Sequence, residues 1–180
     1  IARTLLKLKI GPNVVTLFGL VLASVAAYLI AVDELVWGGV LLAISGALDS
    51  VDGALARMGG TASPAGALMD SVVDRLSEGV VLLGVLILAL NTDDTTLTTL
   101  VYIAFAGSML VSYVVARAQT LGSPQAVGIM TRPERVVVLA VGLLTGYLTV
   151  AIWIIAILAP LTALHRFLHG WNYLRKEPRA

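Results

Sequence analysis

Four aspartates lie close together in a chain of 180 residues of which only 13% are charged: Asp49, Asp52, Asp70 and Asp74. The first two are three residues apart and the last two are four residues apart, so each pair projects from one face of a helix. Two such helices facing each other bring the carboxylates together, where they repel strongly unless a cation lies among them. Because the chain has no cysteine and no histidine lies nearby, these oxygen ligands indicate Mg²⁺ or Mn²⁺.

The sequence around these aspartates is that of a membrane protein. Hydrophobic residues make up 58% of the chain, the mean hydropathy is +0.95, and long apolar runs occupy positions 80–90 and 136–163. At roughly 20 residues per span, the chain is long enough for about six transmembrane helices and leaves little for a soluble domain. We therefore predict an all-α integral membrane protein with one domain over residues 1–180. A net charge of +1 without a basic block indicates no nucleic-acid partner.

The apolar pattern predicts six helices, and the last two need an argument because no charged residue separates them. One helix from Arg135 to Arg166 would be about 46 Å long, whereas the hydrocarbon core of a membrane is about 30 Å thick. A turn near positions 146–149 is therefore expected. The predicted spans are 14–31, 35–56, 66–90, 97–119, 132–148 and 150–171.

The charges predict how these spans are oriented. All twelve Lys and Arg residues fall at one side of the predicted topology, which we call the basic face, and the opposite loops carry Asp33, Glu34, Asp93 and Asp94. The positive-inside rule makes the basic face cytoplasmic, together with both termini and the aspartate segment. A small cation transporter or channel is the alternative role for intramembrane aspartates. A transporter usually has polar groups in both halves of the membrane and often an internal repeat, so the one-sided pattern here favours an enzyme.

The aspartates belong to a longer motif of spaced residues. Its fixed positions are Asp49, Asp52, Gly53, Ala56, Arg57, Gly66, Asp70 and Asp74. This pattern, D-x2-D-G-x2-A-R-x8-G-x3-D-x3-D, resembles the signature of the CDP-alcohol phosphotransferase family at every fixed position. The stretch PNVVT at 12–16 is similar to the segment that opens the first span in this family, and RPER at 132–135 is similar to a stretch of its inositol-phosphate-using members.

The resemblance implies a reaction and an assembly. Members of the family transfer a phosphatidyl-type or archaetidyl-type group from a CDP-linked lipid to the hydroxyl of a polar alcohol, and they release CMP. They have six transmembrane helices, bind two divalent cations and form homodimers. An interfacial helix often precedes their first span, and only a short basic segment stands there in this sequence. We therefore expect that the chain is truncated or part of a longer protein at its N-terminus.

The resemblance also assigns roles to residues of the motif. It makes Asp49, Asp52 and Asp70 metal ligands, and Asp74 either a further ligand or the catalytic base that accepts the proton of the acceptor hydroxyl. It also assigns five residues to binding the nucleotide and phosphates of the CDP-linked lipid: Gly53, Arg57, Ser63, Asn13 and Thr16. A turn or helix-cap role is an equal alternative for the serine and the asparagine.

The acceptor alcohol is predicted from arginines at helix ends of the basic face: Arg117, Arg132, Arg135 and Arg166. A cluster of arginines suits an acceptor that carries its own phosphate, because a guanidinium binds phosphate through two hydrogen bonds. Together with RPER this favours inositol 1-phosphate. Val115 stands where phosphatidylinositol phosphate synthases usually carry a lysine, so glycerol 3-phosphate and serine stay open as acceptors. Diacylglycerol and archaeol both stay open as the lipid part of the donor.

Overall fold

The computed structural model describes residues 11–59, 63–124 and 128–176, which form six helices. This result confirms the predicted all-helical fold and the predicted number of helices. The bounds lie close to those expected from the apolar pattern. The helices are α1 Pro12–Ala31, α2 Leu35–Met58, α3 Pro64–Asn91, α4 Thr95–Thr120, α5 Arg132–Thr145 and α6 Leu148–Lys176.

Three of the described helices, α1, α4 and α6, are long and apolar enough to cross a membrane by their length and composition. Helix α2 adds a shorter apolar segment, Leu35–Asp49. Helix α5 has 14 residues, which gives it a length of about 21 Å and leaves it shorter than a full membrane span.

The turn between α5 and α6 lies where the sequence predicts it. Gly146 follows the last residue of α5 in a left-handed conformation with φ of 77°. Glycine adopts this conformation without a steric penalty and is the usual residue just past a helix end. Helix α6 then begins at Leu148 and packs back against α5.

The helices pack in pairs that share small residues. Helix α1 packs against both α2 and α3, α4 packs against α6, and α2 packs against α5. Gly107 of α4 lies against the ring of Pro160 in α6, and Gly39 of α2 lies against Leu143 of α5. Such residues let helix backbones approach closely inside a membrane. The packing places the basic-face ends of α2, α3 and α5 next to one another.

Gly84 of α3 provides a test of this packing. A Cβ atom at Gly84 would lie 2.8 Å from the Cα of Ala27 in α1, so Gly84→Ala forces the two backbones apart. We expect this variant to lose about 1–3 kcal/mol of unfolding free energy, the usual effect of overpacking. Thermal unfolding in detergent micelles measures the loss. Gly79→Ala on the same helix is the matched control, since its Cβ would meet only a ring carbon of Phe105 at 3.4 Å. Equal melting temperatures for the two variants would contradict the packing.

Candidate active site

Three of the four aspartates line one cavity of about 580 Å³. Asp49 comes from α2, and Asp70 and Asp74 come from successive turns of α3. All three side chains are partly buried. The i and i+4 spacing on α3 and the contact of both helices with α1 thus direct these carboxylates into a common space. The side chain of the fourth aspartate, Asp52, lies outside the described residues.

Arg132 lines this cavity and pairs with two of the aspartates. Its Nη1 lies 2.6 Å from Oδ2 of Asp49 and 2.7 Å from Oδ1 of Asp74, and the three side chains are 19 to 23% exposed. Arg132 is the first residue of α5, so one guanidinium joins carboxylates from two other helices. The sequence assigns Arg132 to the acceptor alcohol, and the structure places it among the aspartates.

A buried hydrogen bond between α2 and α1 fixes the position of α2 one turn before Asp49. The hydroxyl of Ser45 donates to the backbone oxygen of Gly19 in α1, with a distance of 2.9 Å. Ser45 lies one turn before Asp49 on the same face of α2. A Cβ at Gly19 would lie 3.5 Å from Oδ1 of Asp49, so the backbone of α1 packs closely against this aspartate. The sequence analysis missed the role of Ser45.

The donor set suits a hard divalent cation. Asp49 and Asp74 already direct oxygens at one positively charged group, and Asp70 lines the same cavity. Carboxylate oxygens without sulfur ligands are those that Mg²⁺ and Mn²⁺ prefer. Among the side chains that the structure describes, no group of three His, Cys, Asp or Glu residues is close enough together to hold a metal ion. The residues therefore fit the chemistry of such an ion.

A second arginine of the RPER stretch forms a buried ion pair. Nε of Arg135 lies 2.6 Å from Oε1 of Glu78, and Nη2 donates to Oε2 at 2.8 Å. Nη1 donates to the backbone oxygen of Met130 at 2.9 Å. The side chains of Arg135 and Glu78 are only 3% and 9% exposed. This pair fixes α5 to α3, and it engages all three nitrogens of a guanidinium that the sequence assigns to the acceptor.

Glu78 is a residue of this region that the sequence analysis missed. It lies on α3 one turn after Asp74, which itself lies one turn after Asp70. These residues form a row at four-residue spacing on one face of the helix. That spacing is a signal in the sequence, but it does not identify Arg135 as the partner.

The remaining two predicted acceptor arginines lie at a different cavity. Arg117 is exposed near the end of α4 and Arg166 is buried in α6. Both line a cavity of about 550 Å³ that has no lining residue in common with the aspartate cavity. Nε of Arg166 has no hydrogen-bond partner among the described residues, and a Cβ at Gly128 would lie 2.7 Å from it. The structure therefore divides the predicted acceptor set between two cavities and one buried ion pair.

The residues assigned to the CDP-linked lipid are only partly described. Ser63 is the N-cap of α3 and accepts a hydrogen bond from the backbone nitrogen of Gly66 at 3.1 Å. The exposed Asn13 at the start of α1 is close by, since a Cβ at Gly66 would lie 3.8 Å from its Oδ1. The buried hydroxyl of Thr16 donates to the backbone oxygen of Pro12.

Two further residues of this set lie in the part of α2 without described side chains. These are Gly53 and Arg57. The predicted donor contacts of both residues, like the metal contact of Asp52, remain predictions.

A comparison with known families identifies the class of this protein. Residues 9–164 match the family model described as CDP-alcohol phosphatidyltransferase. The chain belongs to this family of membrane transferases, as the aspartate motif predicts. Members of the family carry out phospholipid synthesis from CDP-linked precursors, and the described aspartates lie in one cavity of the fold.

Individual relatives cover most of the chain. The archaetidylinositol phosphate synthase of Pyrococcus horikoshii is 35% identical over 92% of this chain and 86% of its own length. The phosphatidylinositol phosphate synthase of Mycolicibacterium smegmatis is 33% identical over 92% of this chain and 80% of its own length.

Solved structures show the same fold. The phosphatidylinositol phosphate synthase of Mycobacterium tuberculosis with CDP-DAG bound superposes with a TM-score of 0.89 at 28% identity, covering 100% of this chain and 97% of that one. Its complex with manganese and citrate gives a TM-score of 0.91 at 29% identity, covering 100% of this chain and 92% of that one.

Proposed function

We propose that this protein transfers the phosphatidyl-type or archaetidyl-type group of a CDP-linked lipid to a hydroxyl of inositol 1-phosphate. The observation that carries the proposal is the convergence of Asp49, Asp70, Asp74 and Arg132 on one cavity. Relatives whose names specify archaetidylinositol phosphate and phosphatidylinositol phosphate support an inositol phosphate as the acceptor. Glycerol 3-phosphate and serine are the alternative acceptors.

The reaction exchanges one bond to phosphorus for another. The acceptor's hydroxyl oxygen bonds to the phosphorus that carries the lipid, the bond from that phosphorus to the oxygen of CMP breaks, and CMP leaves. Asp74 accepts the proton of the hydroxyl as general base. The carboxylates of Asp49, Asp52, Asp70 and Asp74 would hold two divalent cations, most simply Mg²⁺ with Mn²⁺ as a substitute. When bound, these cations neutralise the pyrophosphate of the donor.

The shape of the aspartate cavity suits a donor with a charged head and an apolar tail. Its polar end contains the aspartates, and its other end continues between α2 and α5 along small and aliphatic side chains, including Ala43, Val137 and Leu144. Gly46 keeps α2 close to α5 here, because a Cβ would lie 2.7 Å from Cγ1 of Val136. The lipid chain of the donor lies in this apolar part, which accommodates acyl and isoprenoid chains alike.

Arg132 and Arg166 bind the phosphate of the acceptor in this proposal. Arg132 is next to Asp74, so a phosphate on its guanidinium brings a hydroxyl of the same molecule close to the base. Arg166 is buried, and it is close enough to Arg135 for their charges to repel, which an anion between them relieves. Arg135 contributes charge while Glu78 holds its guanidinium in place. We propose no acceptor contact for Arg117.

The protein works as a multi-pass membrane enzyme in this proposal. Its basic face, the aspartate cavity and both termini lie on the cytoplasmic side, as the positive-inside rule indicates. Two copies form a homodimer within the membrane. CMP release from a CDP-linked lipid tests the reaction, with Mg²⁺ and inositol 1-phosphate supplied together and each omitted in turn. CMP release that continues when Mg²⁺ is omitted, or when inositol 1-phosphate is omitted, would overturn the proposal.

Filling the apolar part of the cavity tests where the donor binds. Ala43 is exposed and lines this part, so the ring in Ala43→Phe occupies space that the lipid chain needs. We expect the KM for the CDP-linked lipid to rise about tenfold, which corresponds to the burial of roughly two methylene groups. The KM for inositol 1-phosphate stays unchanged. Val36→Phe adds a ring at an exposed position of the same helix away from the cavity and is the control. A rise of equal size in the control would contradict the placement of the donor.

A further inference from the structure

Arg132 contacts the same carboxylates that the proposed function assigns to divalent cations. Its Nη1 lies 2.6 Å from Oδ2 of Asp49 and 2.7 Å from Oδ1 of Asp74, so a single nitrogen pairs with carboxylates of two helices. Carboxylates that meet at one nitrogen repel each other unless a positive charge lies between them. The guanidinium provides this charge, which a metal ion bound by the same oxygens would also provide.

A guanidinium and a divalent cation compete for these two oxygens. Oxygen ligands surround Mg²⁺ at about 2.1 Å, a shorter distance than either contact of Nη1. A cation that uses both oxygens takes the place of Nη1, and its two positive charges repel the guanidinium strongly in a partly buried cavity. Arg132 therefore has to leave its aspartates when such a cation binds.

The side chain of Arg132 is held in a way that allows it to leave. Both of its ion-pair contacts come from Nη1, its Nε has no hydrogen-bond partner among the described residues, and the side chain is 19% exposed. Arg135, one turn further along α5, instead uses Nε, Nη1 and Nη2 and is only 3% exposed. The pair of Arg135 and Glu78 can thus keep α5 in place while the side chain of Arg132 moves.

We propose that Arg132 exchanges partners when a divalent cation binds. It holds Asp49 and Asp74 together until the cation takes their oxygens, and it then turns to the phosphate of the acceptor. Metal binding thus precedes acceptor binding, because the first event releases the arginine that the second one uses. This inference rests on the proposed function, which assigns the metal ligands and the acceptor's phosphate. Binding of the metal alone tests the exchange without turnover, so its failure is distinct from a failure of the transferase reaction.

Binding of Mn²⁺ to the protein without substrates, followed by electron paramagnetic resonance in detergent micelles, is the first test. We expect Arg132→Gln to bind Mn²⁺ about tenfold more tightly, the combined effect of two partly exposed ion pairs that the cation no longer has to break. Arg75→Gln is the matched control. Arg75 follows Asp74 in the sequence, but its guanidinium donates to the backbone oxygen of Ser71 and lines a different cavity. Unchanged affinity in Arg132→Gln, or equal tightening in Arg75→Gln, would overturn the exchange.

Modification of the unchanged protein by phenylglyoxal is the second test, and it does not depend on how a variant folds. This reagent reacts with accessible guanidinium groups, and mass spectrometry identifies the modified arginines. We expect Arg132 to react severalfold faster when Mn²⁺ is added, because the cation releases it from Asp49 and Asp74. Arg135 is the internal control and stays protected with and without Mn²⁺, since it remains paired with Glu78. An equal or slower reaction of Arg132 in Mn²⁺ would contradict the proposal.

Discussion

Replacing Asp74 with asparagine is expected to lower the rate of CMP release about 10²–10⁴-fold, the usual contribution of a general base. Asparagine keeps the size of the side chain but cannot accept the hydroxyl proton. Asp49 and Arg132, which lie next to Asp74, keep their positions in the cavity. Because Asp49, Asp52 and Asp70 still carry carboxylates for the cations, we expect the affinity for the CDP-linked lipid to change much less than the rate. Turnover at saturating substrates and equilibrium binding of the donor measure the two effects separately.

The matched control for this variant is Asp93→Asn. Asp93 lies in the turn between α3 and α4, on the side of the protein opposite to the basic face. Its backbone has a φ of 52°. Asparagine tolerates this left-handed conformation, so the control removes one carboxylate without backbone strain. Normal turnover in Asp74→Asn would show that the base has been assigned wrongly.

The second large effect is expected at the buried ion pair of Glu78 and Arg135. Glu78→Gln leaves the guanidinium of Arg135 buried at 3% exposure without its carboxylate. Removing one partner of a buried pair typically destabilises a protein by about 3–5 kcal/mol. Arg135→Met should have a similar effect, because it leaves the carboxylate of Glu78 uncompensated. Unfolding by heat or denaturant in detergent micelles measures both variants.

The double variant Glu78→Gln with Arg135→Met separates charge from packing. Because neither charge is then left alone, we expect the double variant to be clearly more stable than the sum of the two single effects predicts. Additive losses in the double variant would contradict the proposed coupling of these two side chains.

The helices could be predicted from the sequence because their signals are local. Apolar runs between charged ends define each helix to within a few residues, and the length of a membrane span predicts the turn at Gly146. The shared face of Asp70 and Asp74 also follows from a local rule, since four-residue spacing directs side chains to one face of a helix. Asp49 joins them because α2 and α3 both pack against α1.

The arginines could not be placed in this way, because their neighbours come from helices distant in the sequence. Arg135 is 57 residues from its partner Glu78. Arg132 lies among aspartates of α2 and α3, while Arg117 and Arg166 line one cavity because α4 packs against α6. A charge pattern that places all arginines at one membrane face does not say which cavity each one enters.

The reaction itself is tested most directly by CMP release from one CDP-linked lipid with Mg²⁺ and a panel of acceptors. The panel contains inositol 1-phosphate, inositol, glycerol 3-phosphate and serine, each at the same concentration. Because Arg132 and Arg166 are proposed to bind the acceptor's phosphate, we expect inositol 1-phosphate to give the highest rate and free inositol to react far more slowly. The lipid product formed from inositol 1-phosphate retains the acceptor's phosphate. A higher rate with inositol or serine than with either phosphate would contradict this account.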